Sequence, residues 1–170
     1  MNADLDTERR DLLETLAKHR GLFKQTVAGI TDEQARMTPT ASALCLGGLF
    51  KHVTRVENNW ADFIERGPRQ IDVSDPATFA EHTNSFRMTE DETLAGIMAV
   101  YDEAAARTDQ LLVSLPSLDL SHPLPEAPWF EPGARWTARR VFAHIVAETA
   151  QHAGHADIIR ETIDGQKTMG

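Results

Sequence analysis

The chain has 170 residues, a length typical of a single domain with a hydrophobic core, and we expect one domain over residues 1–170. Hydrophobic residues make up 41% of the sequence and charged residues 25%, as in ordinary soluble globular proteins. The formal net charge is −9, and lysine and arginine form no long run. Because phosphate binding needs clustered basic residues, this composition argues against a nucleic-acid partner.

The remaining bulk features predict a soluble cytoplasmic protein with no membrane partner. The one cysteine, Cys45, cannot form a disulfide within the chain, which suits a reducing compartment. The first residues lack the basic and apolar segments of a signal peptide, and no apolar stretch reaches the ~18 residues needed to cross a bilayer. Cys45 lies in an apolar run, so we predict a buried side chain without a catalytic role.

Apolar residues recur with the helical period in four long segments. The first helix is predicted over residues 4–28. A short helix follows, for which Thr31 is a favourable N-cap. The second long helix is predicted from about residue 43 to Gly67, where a Gly-Pro pair ends it.

The third long helix is predicted to begin at Thr89, because Thr89 and Glu92 have the spacing of a capping box. It stops before a loop with five prolines that spans residues 116–136. An unstructured loop of this length in a compact domain more often forms a site wall than a mere connector. The fourth helix is predicted from its N-cap Thr137 to about Gly165. Since no pattern indicates a strand hairpin, we predict an all-α four-helix bundle with a long loop between helices three and four.

The fourth helix carries imidazole and carboxylate side chains one turn apart, at His144, Glu148 and His152. Residues four apart on a helix lie along one stripe, so Glu148 and His152 can reach the same ion. Metal sites in helical bundles take ligands from facing helices, and His52 is the best third candidate because core-facing positions surround it. Two imidazoles and a carboxylate around an open position are typical of a catalytic zinc site.

Each of these residues also has a plainer interpretation. His144 could face solvent or make a local hydrogen bond, and His52 could be a core histidine with an ordinary partner. Glu148 and His152 could form an i,i+4 surface pair, which helices often carry. In that case the stripe is a polar helix face and the protein binds no metal.

Two stretches resemble the DinB superfamily, in its DUF664 branch. The run WTARRVFAHIVAETAQHAGHADIIRETIDG, residues 136–165, is similar to the last helix of that family, and LGGLFKHVTRVENNW, residues 46–60, resembles its second helix. The helix order and the long loop also match, so the resemblance extends over nearly the whole chain. It implies a divalent metal held by one ligand from the second helix and two from the last. Those ligands would here be His52, Glu148 and His152.

Relatives in that superfamily include S-transferases that use mycothiol or bacillithiol, and the mycothiol-dependent maleylpyruvate isomerase. The resemblance therefore implies a metal-dependent thiol S-transferase that joins a small-molecule thiol, with mycothiol as the first choice, to an electrophile. Zinc is the expected metal, with nickel and iron as the others to test. The chain offers no obvious nucleophile of its own, which favours an external thiol. The alternatives are a metal-dependent hydrolase and a non-catalytic protein that binds metal or forms an interaction dimer.

Further expectations concern residues around this set. Arg139, at the start of the fourth helix, could meet an anionic substrate or cofactor. Trp129 and Phe130 in the long loop could wall the pocket of the electrophile. Glu57 and Asp157 are candidate hydrogen-bond partners of the ligating histidines, which usually donate their second nitrogen to an oxygen.

Three features of the last helix complete the predictions. Asp157 and Arg160 are expected to form an i,i+3 pair. His155 either faces the site or bonds a neighbour, and Gly154 permits close packing. A homodimer could form through faces of small residues: Gly47-Gly48 and Ala153-Gly154.

Overall fold

A computed structural model describes residues 5–69 and 83–168. Its helices are α1 (Thr7–Gln25), α2 (Asp32–Arg36), α3 (Leu46–Arg66), α4 (Leu94–Ser114) and α5 (Ala138–Asp164), and its strands are β1 (Ser121–Pro123) and β2 (Arg135–Thr137). In the bundle, α3 packs against both α4 and α5, while α1 packs against α5. This architecture confirms the predicted all-α four-helix bundle. Within the two described ranges, no helix combines the length and apolar character that crossing a bilayer requires.

Two clusters of buried apolar residues hold the helices together. In the first, Phe23 of α1 stacks on Phe50 of α3 with ring centroids 3.8 Å apart, and Tyr101 of α4 packs edge-on against both rings. The second cluster includes Phe63 of α3 and Phe142 of α5. Because α3 contributes to both clusters, it is fixed against its neighbours at each end, and α5 lies beside it along the length that carries the candidate ligands.

The helix ends at α2, α3 and α5 follow from local capping. Thr31 caps α2 with both hydrogen bonds of a capping box, and Thr137 caps α5, as predicted. The N-cap of α3 is Cys45, whose sulfur accepts a hydrogen bond from the Gly48 amide at 3.3 Å. The Cys45 side chain is buried, as predicted. α1 ends at Gln25, short of the predicted boundary.

α4 begins four residues later than predicted, since its N-cap is Thr93 and not Thr89. The Thr89 amide does donate to Glu92 Oε2 at 2.7 Å, as it would in a capping box. However, the guanidinium of Arg36 donates to the carbonyl oxygens of Thr89 at 2.9 Å and Glu92 at 2.6 Å. Those contacts with the side chain from α2 hold the segment as a turn, so the helix starts only after it.

The proline-bearing loop contains a β-hairpin, which corrects the prediction that residues 116–136 lack secondary structure. β1 and β2 pair antiparallel, with His122 opposite Trp136, and the Leu124 amide donates to the Ala134 carbonyl at 2.8 Å. Three-residue strands are too short to show the alternation that identifies a strand in sequence. Because the last residue of β2 is also the cap of α5, the hairpin fixes Trp136 directly before the helix that carries the candidate ligands.

Gly47 and Gly48 pack inside the chain, so the predicted dimer face at these residues is wrong. A Cβ atom on Gly48 would lie 1.9 Å from the Phe86 carbonyl oxygen, and one on Gly47 would lie 2.4 Å from the Met88 sulfur. Only glycine allows the start of α3 to approach this backbone. Gly154, in contrast, is exposed, and a Cβ atom there would meet nothing within 4 Å in the described part of the chain.

We expect Gly48→Ala to destabilise the fold by about 1–3 kcal/mol, because the new methyl group meets backbone that must shift. The matched control is Gly154→Ala, in the interior of α5, which should be neutral or stabilising by about 0.5–1 kcal/mol. Urea unfolding followed by circular dichroism measures both free energies. Equal effects of the two substitutions would contradict the close approach at Gly48.

Candidate metal centre

The structure brings together the three residues that the sequence nominated as ligands. His52 of α3 and Glu148 and His152 of α5 each offer one donor atom, and these atoms all lie within 4.8 Å of one another. His52 is 7% exposed and His152 8% exposed, while the side chain of Glu148 is 26% exposed. The set therefore lies at the edge of the core, with the carboxylate towards solvent.

Local packing fixes His52. Its neighbours Leu49, Phe50 and Val53 are buried in the first cluster, so this face of α3 points inward. The imidazole stacks on the Phe86 ring with centroids 3.9 Å apart, and its Nδ1 lies 3.3 Å from Ser85 Oγ. Its edge meets the ring of His152, whose centroid is 4.8 Å away.

Four polar side chains form a stripe along α5: His144, Glu148, His152 and His155. His144 Nε2 lies 3.3 Å from Glu148 Oε1, and His152 Nε2 lies 3.6 Å from Glu148 Oε2. On the far side of His152, its Nδ1 lies 3.4 Å from Nδ1 of His155. Glu148 thus has a histidine at each oxygen, and His152 has a polar neighbour at each nitrogen.

The electrostatics of the stripe favour the ionised form of Glu148, which is the form that a metal binds. The imidazole of His152 lowers the pKa of Glu148, and His144 and His52 add to this effect against the opposing influence of burial. Burial lowers the pKa of His144, with Arg140 acting in the same direction and Glu148 against it. Glu148 is therefore an ionised hydrogen-bond acceptor at neutral pH. The imidazole of His144 beside it favours the neutral form of the ring.

The donor set fits a divalent metal. Two imidazole nitrogens and a carboxylate oxygen are a known zinc set that leaves a coordination position open. Tetrahedral ligands at about 2.0–2.2 Å from zinc lie roughly 3.4 Å apart. The donors, which lie within 4.8 Å of one another, would have to approach by up to about 1.4 Å. Glu148, the most exposed of the three side chains, has the most freedom to make this approach.

A patch of aromatic rings adjoins the stripe next to His144. Trp60 of α3 and Trp136 of β2 stack with centroids 4.8 Å apart, and His144 lies edge-on to them at 5.0 and 5.1 Å. Phe130 packs against Trp136, whereas Trp129 is 66% exposed. The sequence prediction named the two loop residues Trp129 and Phe130 and missed the pair that contacts His144. Of that pair only Trp60 carried a signal, as an aromatic residue about two turns from His52 on the same helix.

Arg139 lies between two carboxylates. It forms ion pairs with Glu8 of α1 and with Asp119 of the loop, and these contacts raise its pKa. The guanidinium therefore ties the start of α5 to α1. An anion would have to compete with both partners, so the geometry gives no support to the predicted anion-binding role.

Glu57 is not a hydrogen-bond partner of the ligands, which corrects that prediction. It is fully buried and forms an ion pair with Arg20 of α1. The reason is geometric: Glu57 follows His52 by five residues, which places it on a different face of α3.

The predicted pair of Asp157 with Arg160 is also wrong. Asp157 Oδ1 accepts a hydrogen bond from the Thr168 amide at 2.7 Å, and Arg160 Nε donates to Asp164 Oδ1 at 2.9 Å. Arg160 is buried and also donates to the carbonyl oxygens of Thr26 and Ala28, after the end of α1. These two residues fix the end of the bundle beyond the stripe.

Two solved structures have the same fold. YfiT from Bacillus subtilis is described as a probable metal-dependent hydrolase with an unusual four-helix bundle topology. It aligns with a TM-score of 0.67 and 17% identity over 94% of this chain and 90% of that chain. A conserved protein from Enterococcus faecalis aligns with a TM-score of 0.63 and 18% identity over 92% of this chain and 97% of that chain.

The sequence itself identifies the family. A comparison with curated proteins found no match. A family model described as mycothiol-S-transferase, however, matches residues 11–165, which is most of the chain and includes all three candidate ligands. This match confirms the resemblance to the DinB superfamily. The chain therefore belongs to the mycothiol-S-transferase family.

Proposed function

We propose that the protein is a metal-dependent S-transferase that joins a small-molecule thiol, with mycothiol as the first choice, to an electrophilic small molecule. The observation that carries the proposal is the convergence of His52, Glu148 and His152 from two helices, in a chain of the mycothiol-S-transferase family. The family supports mycothiol as the thiol. The nitrogen and oxygen donors support zinc, with nickel and iron as further metals to test.

In this proposal the three side chains hold the metal at the edge of the core. A bound divalent metal would lower the pKa of a coordinated thiol, so that the nucleophilic thiolate is present at neutral pH. Glu148 faces solvent more than the two histidines do, which leaves the approach for thiol and electrophile on its side. The rings of Trp60 and Trp136 offer an apolar surface beside it.

The chain's own cysteine does not compete for the role of nucleophile. Cys45 is buried, and its sulfur accepts a hydrogen bond from the Gly48 amide as the N-cap of α3. A buried thiol in this structural position cannot meet an external electrophile. An external thiol is then the economical source of sulfur.

The test is a transfer assay with mycothiol and monochlorobimane, whose fluorescence rises when a thiol displaces its chloride. The new C–S bond replaces the C–Cl bond, and the thiol proton is released with the chloride. We expect turnover that a chelator abolishes and that added zinc restores. Bacillithiol and glutathione in parallel reactions measure the choice of thiol.

Two other results would each refute the transferase. Protein that binds metal but transfers none of the three thiols to any of several electrophiles would be a metal-binding protein. Metal-dependent cleavage of ester or amide substrates without added thiol would indicate a hydrolase.

A further inference from the structure

We propose that His144 and His155 are positioning residues, which orient the ligands Glu148 and His152 from outside the metal centre. This inference rests on the proposed metal site. It assigns separate roles to the four polar residues of the α5 stripe: the inner two bind, and the outer two hold them in place. Loss of such an outer partner typically weakens metal binding by roughly 10–100-fold.

His144 is placed to hold the carboxylate. An ionised carboxylate only accepts hydrogen bonds, so at 3.3 Å the Nε2–H of His144 donates to Glu148 Oε1. Edge contacts with Trp60 and Trp136 hold the imidazole of His144 in this orientation. With Oε1 fixed, Oε2 is turned towards His152, 3.6 Å from its Nε2.

His155 is placed to hold the second imidazole. Nε2 of His152 faces Glu148, so it is the nitrogen for the metal, and the ring proton then belongs on Nδ1. That N–H points at Nδ1 of His155, 3.4 Å away, which accepts the bond in the neutral tautomer. One contact thereby sets both the tautomer and the rotation of the His152 ring.

The geometry favours this assignment over a merely polar helix face. Each outer histidine is half-buried. Each contacts the ligand atom that is not used in the contact between Glu148 Oε2 and His152 Nε2. Their spacing in sequence, four residues before Glu148 and three after His152, places both on the stripe of the ligands. His122 offers the contrast: its Nε2 lies 3.1 Å from the Ile64 carbonyl oxygen, away from the stripe.

The experiment is zinc affinity, measured by competition with a chromophoric chelator, together with the absorption spectrum of the Co²⁺-loaded protein. We expect His144→Ala and His155→Ala each to weaken zinc binding about 10–100-fold and to alter the Co²⁺ spectrum. His144→Gln keeps an N–H donor and His155→Gln keeps an acceptor, so these variants should recover most of the affinity. His122→Ala, which also removes a half-buried histidine, is the matched control and should bind zinc like the wild type.

Three outcomes decide the matter. Alanine variants that bind zinc as tightly as the wild type overturn the inference and leave the metal site intact. Variants that are weakened no more than His122→Ala, or that glutamine does not rescue, also overturn it, because the loss would then reflect general stability. Wild-type protein that takes up neither zinc nor Co²⁺ refutes the proposed function itself, and the inference with it.

Discussion

Replacing Glu148 by alanine is expected to abolish metal binding. Wild-type protein purified without chelator should carry about one divalent ion per chain, since three side chains supply one site with an open position. Loss of the carboxylate leaves two imidazoles and removes the only negative charge among the three ligands. We expect a fall in affinity beyond the roughly 10–100-fold typical of losing an outer partner. Elemental analysis of the purified proteins gives the metal content directly.

The matched control for this experiment lies on the same helix. Glu161 is exposed on α5 and pairs only loosely with Lys167, at 3.8 Å, so Glu161→Ala removes a carboxylate without touching the stripe. Its metal content should equal that of the wild type. His52→Ala extends the test to α3, and it too should lose the metal. Metal retained by Glu148→Ala would refute the ligand set.

Thermal unfolding supplies an independent readout of the same site. A metal that binds only the folded chain stabilises it by about 2.7 kcal/mol when its free concentration is one hundred times Kd. Added zinc should therefore raise the Tm of the wild type and of Glu161→Ala, and leave that of Glu148→Ala unchanged. If zinc shifted none of the three, the stripe would be a polar helix face, as the plainer interpretation of the sequence holds.

The candidate ligands could be predicted because their signals are local. Glu148 and His152 are four residues apart on one helix, which places them together wherever that helix lies. The apolar neighbours of His52 in sequence showed that it faces the core. The sequence pattern did not show that α3 packs against α5. The family resemblance supplied that information, because it implies ligands from both helices.

Two of the errors, at the start of α4 and at Glu57, concern contacts between residues distant in sequence. Arg36 contacts the turn at Thr89, 53 residues away, and so delays the start of α4. The hairpin strands are too short to produce a periodic signal. Glu57 interrupts the apolar face of α3, and a buried carboxylate needs a polar partner. No local spacing in the sequence could identify that partner as Arg20, which lies 37 residues earlier. A metal ligand on the same helix made the wrong assignment attractive.

Replacing Glu57 by alanine is expected to cost about 3–5 kcal/mol of stability, because it leaves one charge of a buried ion pair alone. Glu57 is fully buried, and Arg20 is 5% exposed. Burial lowers the pKa of Arg20, but the carboxylates of Glu57 and Asp109 raise it by more. The net effect is a raised pKa, so the guanidinium stays charged in the core. Urea unfolding, with the slope checked for two-state behaviour, measures the change in free energy.

The control uses the second partner of the same guanidinium. Arg20 Nη1 donates to Asp109 Oδ1 at 2.7 Å, but the Asp109 side chain is 42% exposed. Water can replace that contact, so Asp109→Ala should cost no more than about 1 kcal/mol. An equal loss of unfolding free energy in Glu57→Ala and Asp109→Ala would contradict the view that the Arg20–Glu57 pair matters because it is buried.

The double variant Arg20→Met/Glu57→Met separates the role of this pair from that of the metal site. Apolar side chains of similar size can replace a buried ion pair at little cost, so the double variant should be far more stable than Glu57→Ala. Its metal content should match that of the wild type, because Glu57 forms an ion pair with Arg20 and no hydrogen bond with His52 or His152. A stable double variant that had lost its metal would instead make Glu57 part of the support of the ligands. The pair would then link the packing of α1 against α3 to the metal centre.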